Sequence, residues 1–131
     1  MASVAVYVVE DSPIILKLLG ELIGETGAKV VGHADTASQA ITDIARLHPD
    51  AVTIDVALKR GTGFDVLEAM AISEDQHPPL RIMLSNHKSE PYVAAAKNLG
   101  ADYFFDKANQ IRDVVQLLAT LVRTARVAVA R

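Results

Sequence analysis

Ala51-Val52-Thr53-Ile54-Asp55 is a short apolar run that stops on a single carboxylate. Its length and its β-branched content suit a strand covered on both faces. Two other runs end in a comparable way. Val4-Ala5-Val6-Tyr7-Val8-Val9 stops at Glu10-Asp11, and Tyr103-Phe104-Phe105-Asp106 stops at Lys107. In an open parallel α/β sheet, ligand sites lie just beyond the carboxyl ends of the strands. Charged groups at three strand ends therefore converge on one crevice.

Reading outward from these runs, strands and helices alternate. Ser12-Pro13 opens a helix, Ser as N-cap and Pro at the first helical position. Ile15, Leu18, Leu19, Leu22 and Ile23 follow at helical spacing, and Gly27 closes the element. Lys29–Ala34 is a second strand. Thr36 with Gln39 forms a capping box for a helix carrying Ile41, Ile44 and Ala45, which His48-Pro49 ends. After the Asp55 strand come the loop Val56–Thr62, a helix marked by Phe64, Leu67 and Met70, and a polar loop Glu74–Pro79. Leu80–Leu84 is a fourth strand ending at Ser85. Ser89 caps a helix built on Ala94-Ala95-Ala96, and Gly100 stops it. Asn109 caps a last helix with Ile111, Val115, Leu118, Val122, Ala125 and Val129 on one stripe.

Uninterrupted βα units imply a parallel sheet with helices on both faces. With right-handed crossovers, five units predict a flavodoxin-like (βα)5 three-layer sandwich with strand order 2-1-3-4-5. Its topological switch point falls between strands 1 and 3, where Glu10-Asp11 and Asp55 end their strands.

Composition bounds the function. The 131 residues are 50% hydrophobic, enough for one domain with its own core. A net charge of -3 gives no basic footprint for nucleic acid. Arg123, Arg126 and Arg131 match the dipole of a helix C-terminus instead. There is no cysteine, so disulfide and thiolate chemistry is excluded. Val4–Val9 is too short for a signal core or a membrane span. A cytoplasmic location with no membrane contact is the expectation.

Three carboxylates in one crevice repel one another, and a divalent cation relieves the conflict. Hard oxygen donors with retained waters suit magnesium. Asp11, Asp55 and the Ala57 backbone carbonyl are the candidate ligands, with Glu10 behind them holding water. A metal so placed neutralises the oxygens of an incoming phosphoryl group, so that the Asp55 carboxylate can act as nucleophile and phosphoacceptor. Lys107 supplies a point charge to those oxygens, and the Ser85 hydroxyl supplies a hydrogen bond.

The segments Val8-Val9-Glu10-Asp11-Ser12, Ile54-Asp55-Val56-Ala57-Leu58, Gly61-Thr62-Gly63-Phe64, Met83-Leu84-Ser85 and Gly100-Ala101-Asp102 through Lys107 resemble the receiver domain of two-component response regulators. The resemblance covers essentially the whole chain, residues 1–131, with residues from about 123 to 131 read as a helical extension. It implies magnesium-dependent phosphorylation of Asp55 by the phosphohistidine of a sensor histidine kinase or a phosphotransfer protein. It also implies a switch in which Ser85 moves toward the phosphoryl group and Phe104 turns inward. Output would pass to a downstream protein through the face formed by the fourth helix, the fifth strand and the fifth helix. The chain would assist its own phosphorylation and slow dephosphorylation without being an enzyme. Three departures from the family pattern stand out. Ala108 replaces the usual proline after the lysine, so a cis peptide is not expected there. Lys59 replaces the proline four residues after the acceptor, leaving Lys59-Arg60-Gly61 a more mobile, basic loop. Asn86 stands where a small residue is usual. Ala57 and His87 occupy positions that tune hydrolysis.

Two alternatives of other classes stand beside this reading. A flavodoxin-like domain binding a small ligand or cofactor would carry Gly or hydroxyl residues after its first strand, where this chain has Glu10 and Asp11. A phosphatase would need an acid–base group near its aspartate, where this chain has Val56 and Ala57. The domain could act alone or within a longer regulator or hybrid kinase. The four-and-three spacing along the last helix leaves open a homodimer seam as well as an ordinary sheet-facing stripe.

Overall fold

Five strands and five helices alternate in the computed structural model, which describes residues 3–73, 75–86 and 88–130, with side chains through 126. Glu74, His87, Arg131 and the side chain of Val129 lie outside this description. The elements are β1 (Ala5–Val9), α1 (Pro13–Glu25), β2 (Lys29–Ala34), α2 (Ala37–Leu47), β3 (Ala51–Ile54), α3 (Gly63–Ile72), β4 (Leu80–Ser85), α4 (Glu90–Asn98), β5 (Tyr103–Asp106) and α5 (Ile111–Ala130). All strand pairs are parallel and the order is β2-β1-β3-β4-β5, as the alternation predicts.

Strand alternation sorts the apolar side chains into two core layers. Tyr7, Val9, Val52, Ile54 and Met83 pack against α2, α3 and α4. Val6, Val8, Ala51, Ile82 and Leu84 pack against Leu19 and Ile23 of α1 and Val114, Leu118 and Val122 of α5. The sheet-facing line on α5 runs through Ile111, Val114, Leu118 and Val122, so Val114 takes the place expected of Val115, which is only half-buried and outside this layer. Ala125 still packs on it, and the Arg126 guanidinium lies over the α1–β2 turn at Gly27. Among the described residues no helix is long and apolar enough to cross a membrane.

The helix caps follow the sequence in part. Ser12 Oγ accepts from Ile15 N–H at 3.4 Å, with Pro13 leading α1. Thr36 Oγ1 accepts from Gln39 N–H at 3.3 Å, but the Gln39 side chain donates to Asp43 at 2.8 Å, so the expected box is only half made. The complete box is at α3. There Thr62 Oγ1 accepts from Asp65 N–H at 3.3 Å and Asp65 Oδ2 accepts from Thr62 N–H at 2.9 Å. Ser89 stands at the N-cap of α4 without a side-chain cap bond. Asn109 does not cap α5; the first bonds of the helix run from the Asp113 and Val114 N–H groups to the Gln110 carbonyl, which puts the N-cap position on Gln110.

One tie across the layer has no local sequence signal. The Tyr7 hydroxyl donates to Asp43 Oδ2 at 2.6 Å, joining β1 to α2. Burial and the Asp43 carboxylate push the tyrosine well above its ordinary pKa, and the same hydrogen bond holds Asp43 below the usual carboxylate range.

Candidate functional site

Glu10, Asp55 and Lys107 each follow directly on a strand. β1, β3 and β4 are central and covered on both sides, so Glu10, Asp55 and Ser85 at their ends remain enclosed, whereas Lys107 follows the edge strand β5 and is buried because its side chain reaches in to Glu10 and Asp55. Glu10 is 3% exposed, Asp55 5% and Lys107 7%, and Ser85 at the end of β4 is fully buried. Asp11, one residue further on, is exposed. Carboxylate oxygens of Glu10, Asp11 and Asp55 lie within 4.8 Å of one another.

Lys107 already sits among these acids. Its Nζ donates to Asp55 Oδ2 at 2.7 Å, and it stands 2.8 Å from Glu10 Oε1 and 3.0 Å from Glu10 Oε2. The Lys107 N–H donates to Ser85 O at 3.0 Å, which ties β5 to the end of β4. Ser12 N–H adds a bond to Glu10 Oε2 at 3.0 Å. Burial pushes the Glu10 carboxyl above its ordinary range, and the bonds from Lys107 and Ser12 offset only part of the rise. Burial also works against the Lys107 ammonium, but its bonds to Asp55 and Glu10 outweigh that and raise its pKa.

The loop after β3 is held more firmly than its sequence implied. Lys59 N–H donates to Asp35 O at 2.9 Å and Ala37 N–H to Arg60 O at 3.0 Å, so Lys59-Arg60 is stitched to the β2–α2 loop by backbone bonds that need no proline. Ala57 is exposed and bridges to Thr62, the bridge being closed by Gly63 N–H on Val56 O at 2.9 Å. Phe104 is half-buried against the α2–α3–α4 layer and pairs with Met83. Tyr103 is 41% exposed on the other face, stacked on Phe105 at 5.7 Å. No cis peptide is present among the described residues, in keeping with Ala108 after the lysine.

The donors fit a hard divalent cation. All are carboxylate oxygens, and three carboxylates with one ammonium leave two formal negative charges uncompensated.

Comparison with known proteins places this arrangement in a family. Residues 6–119 match the response regulator receiver domain. The transcriptional regulatory protein PdtaR of Mycobacterium tuberculosis is 30% identical over 122 residues, covering 92% of this chain and 58% of PdtaR. A protein-glutamate methylesterase/protein-glutamine glutaminase of Hahella chejuensis is 31% identical over 96 residues, covering 73% of this chain and 27% of that protein. The chain therefore spans less than two thirds of either relative. The response regulator domain of Thermotoga maritima CheB superposes with a TM-score of 0.79 at 26% identity, over 95% of this chain and 96% of that one. With a match across nearly all of the sheet, and an acidic cluster at the carboxyl ends of its strands, the chain belongs to the response regulator receiver domain family and is a phosphoacceptor module of two-component signalling.

Proposed function

We propose that Asp55 is the phosphoacceptor and that Asp11, Asp55 and the Ala57 carbonyl hold magnesium, with Glu10 behind them. The observation that carries this reading is the buried Asp55 carboxylate, grouped with two other acids and bonded at 2.7 Å to Lys107. Bound magnesium supplies positive charge to the phosphoryl oxygens. The chain's own residues do the rest. An Asp55 oxygen attacks phosphorus and forms the acyl phosphate. The bond from phosphorus to the donor breaks, and its electron pair leaves with the donor nitrogen or oxygen. Lys107 shifts from the carboxylates to a phosphoryl oxygen, and the Ser85 hydroxyl donates to another. Water later attacks phosphorus, restoring the Asp55 carboxylate and releasing inorganic phosphate. Val56 and Ala57 offer no proton-transfer group beside Asp55, so this hydrolysis is slow and the chain acts as a self-assisting phosphoacceptor, not a turnover enzyme.

The donor is a sensor histidine kinase or a phosphotransfer protein in the cytoplasm. Ser85 and Lys107 end β4 and β5, so their contacts with a phosphoryl group pull on the loop before α4 and on Phe104. The face of α4, β5 and α5 then presents the response to a downstream protein or a second copy. Residues 1–131 serve as one receiver domain, the segment from about 123 onward prolonging α5. The methylesterase activity named for the Hahella chejuensis relative is not transferred to this domain, and the part the domain plays inside a longer regulator or alone is set by its partners.

Intact mass after incubation with magnesium and a small acyl-phosphate donor tests the assignment. The chain is expected to gain one base-labile phosphoryl group, and Asp55→Asn none; a gain retained in Asp55→Asn overturns it. Magnesium alone is expected to raise the thermal midpoint, and to do so much less in Asp11→Ala. Equal magnesium shifts in both would remove Asp11 from the metal site.

A further inference from the structure

Lys107 must be held to within a fraction of an ångström to serve the acid cluster, yet it follows the shortest-supported strand of the sheet. β5 has four residues and one neighbour, β4. The Lys107 N–H points to β4, where Ser85 O accepts it. The N–H of the preceding residue, Asp106, points the other way, off the open edge. There the side-chain amide oxygen of Gln110 accepts it at 2.8 Å. Gln110 N–H returns a bond to Asp106 O at 2.7 Å, and Ala108 N–H donates to Asp106 Oδ1 at 2.8 Å. Lys107 is thus the first corner of a turn whose two ends are Asp106 and Gln110.

Gln110 is fixed from its other side too. Its Nε2 donates to Asp113 Oδ2 at 3.3 Å in the first turn of α5. Its Oε1 also accepts from Lys88 Nζ at 3.0 Å, from the loop that follows Ser85. One amide oxygen therefore receives both the end of the strand that carries Lys107 and the loop that leaves Ser85.

We propose that Gln110 is a positioning residue for phosphoryl transfer, which sets Lys107 against Asp55 by standing in for a missing edge strand and links that strand end to the β4–α4 loop through Lys88. The proposal deepens the reading of Lys107 given above and rests on it. It also explains how a chain with Ala108 after the lysine keeps that turn in shape: a side-chain acceptor does what ring geometry would otherwise do.

The test is the rate of phosphorylation of the 131-residue chain by a small acyl-phosphate donor with magnesium, followed by intact mass. Gln110→Ala is expected to slow it about tenfold, and Gln110→Glu, which keeps the acceptor and is made together with Asp113→Asn so that an amide donor again faces it, to stay within about twofold of wild type. A double-mutant cycle separates positioning from general support. In a Lys107→Met background, Gln110→Ala should cause no further loss, because its effect passes through Lys107. Equal loss in both backgrounds overturns the proposal, as does a wild-type rate in Gln110→Ala. Should the Lys107→Met background not fold, the Ala and Glu variants decide alone, and equal slowing in both overturns it. A wild-type chain that takes up no phosphoryl group would instead overturn the Asp55 assignment, and the proposal with it.

Discussion

Lys107→Met is expected to destabilise the metal-free chain by about 3 kcal/mol near neutral pH, because it leaves two buried carboxylates facing each other without their cation. The ammonium sits 2.7 Å from Asp55 and 2.8 Å from Glu10, and all three groups are buried. Methionine keeps much of the volume, so the loss reports charge and not a cavity. The pH dependence fixes the sign. In wild type the lysine pKa is raised, so its contribution is complete below the ordinary lysine value and is lost as pH rises through the folded one. Glu10 is already held up by burial, and the variant removes the bonds and charge that oppose the rise. A carboxyl raised in the folded state takes its proton there first, so the variant should recover stability as pH falls. Glu10→Gln in the same background should restore part of the loss. Urea unfolding in a chelating buffer measures all of this. A Lys107→Met chain as stable as wild type, with no change in the difference as pH falls below neutral, would show that the ammonium is not the resting counter-charge.

This resting role was the part of the site least visible in the sequence. Glu10, Asp11, Asp55, Ser85 and Lys107 could be placed from local pattern, since each follows or ends an apolar run and strand ends fall at one edge of a parallel sheet. Which of them touch before any phosphoryl group arrives depends on chain segments 97 and 52 residues apart. The sequence implies a Lys107 that meets only the phosphoryl oxygens; in the fold it is already engaged by Glu10 and Asp55. The same limit appears at α5. Asn109 has the better intrinsic capping preference, but the Gln110 amide reaches Asp106 at the sheet edge, and no local rule foresees that contact. At Lys59 the loss of a proline suggested mobility, whereas backbone bonds to Asp35 and Ala37 hold the loop regardless of side chain. The full capping box at Thr62 and Asp65 did carry a sequence signal, a hydroxyl residue three before an acid, and it was there to be read.

Gly63→Ala should strike the phosphoacceptor from behind. Gly63 opens α3, is buried, and donates its N–H to Val56 O at 2.9 Å, which draws the helix start onto the β3 terminus. A Cβ there would overlap the Asp55 carbonyl oxygen and stand 2.9 Å from Ile54 Cγ2 and 3.0 Å from the Asp55 carbonyl carbon. The obstacle is backbone, with no flexible side-chain end to swing aside, so either α3 or Asp55 itself must move. Overpacking of this kind costs about 2 kcal/mol. The larger effect is on function: a shift of the Asp55 backbone moves its carboxylate relative to Lys107 and Asp11, and a displacement near 1 Å slows such a reaction on the order of 100-fold. Gly61→Ala is the matched control. Gly61 has φ 76, and its Cβ would meet Ala37 Cβ at 2.7 Å, so it too loses stability, through left-handed backbone strain and a clash. Its collisions are with Ala37 of α2 and, at 3.2 Å, with the Asp65 carboxylate of the α3 cap, and none is with Asp55. Phosphorylation by a small acyl-phosphate donor, with unfolding measured in parallel, should therefore separate the two. Gly63→Ala loses far more rate than its stability loss predicts, while Gly61→Ala loses stability with rate largely kept. Equal rates in the two variants would mean that the Asp55 backbone tolerates the shift, and that the close approach of Gly63 serves packing alone.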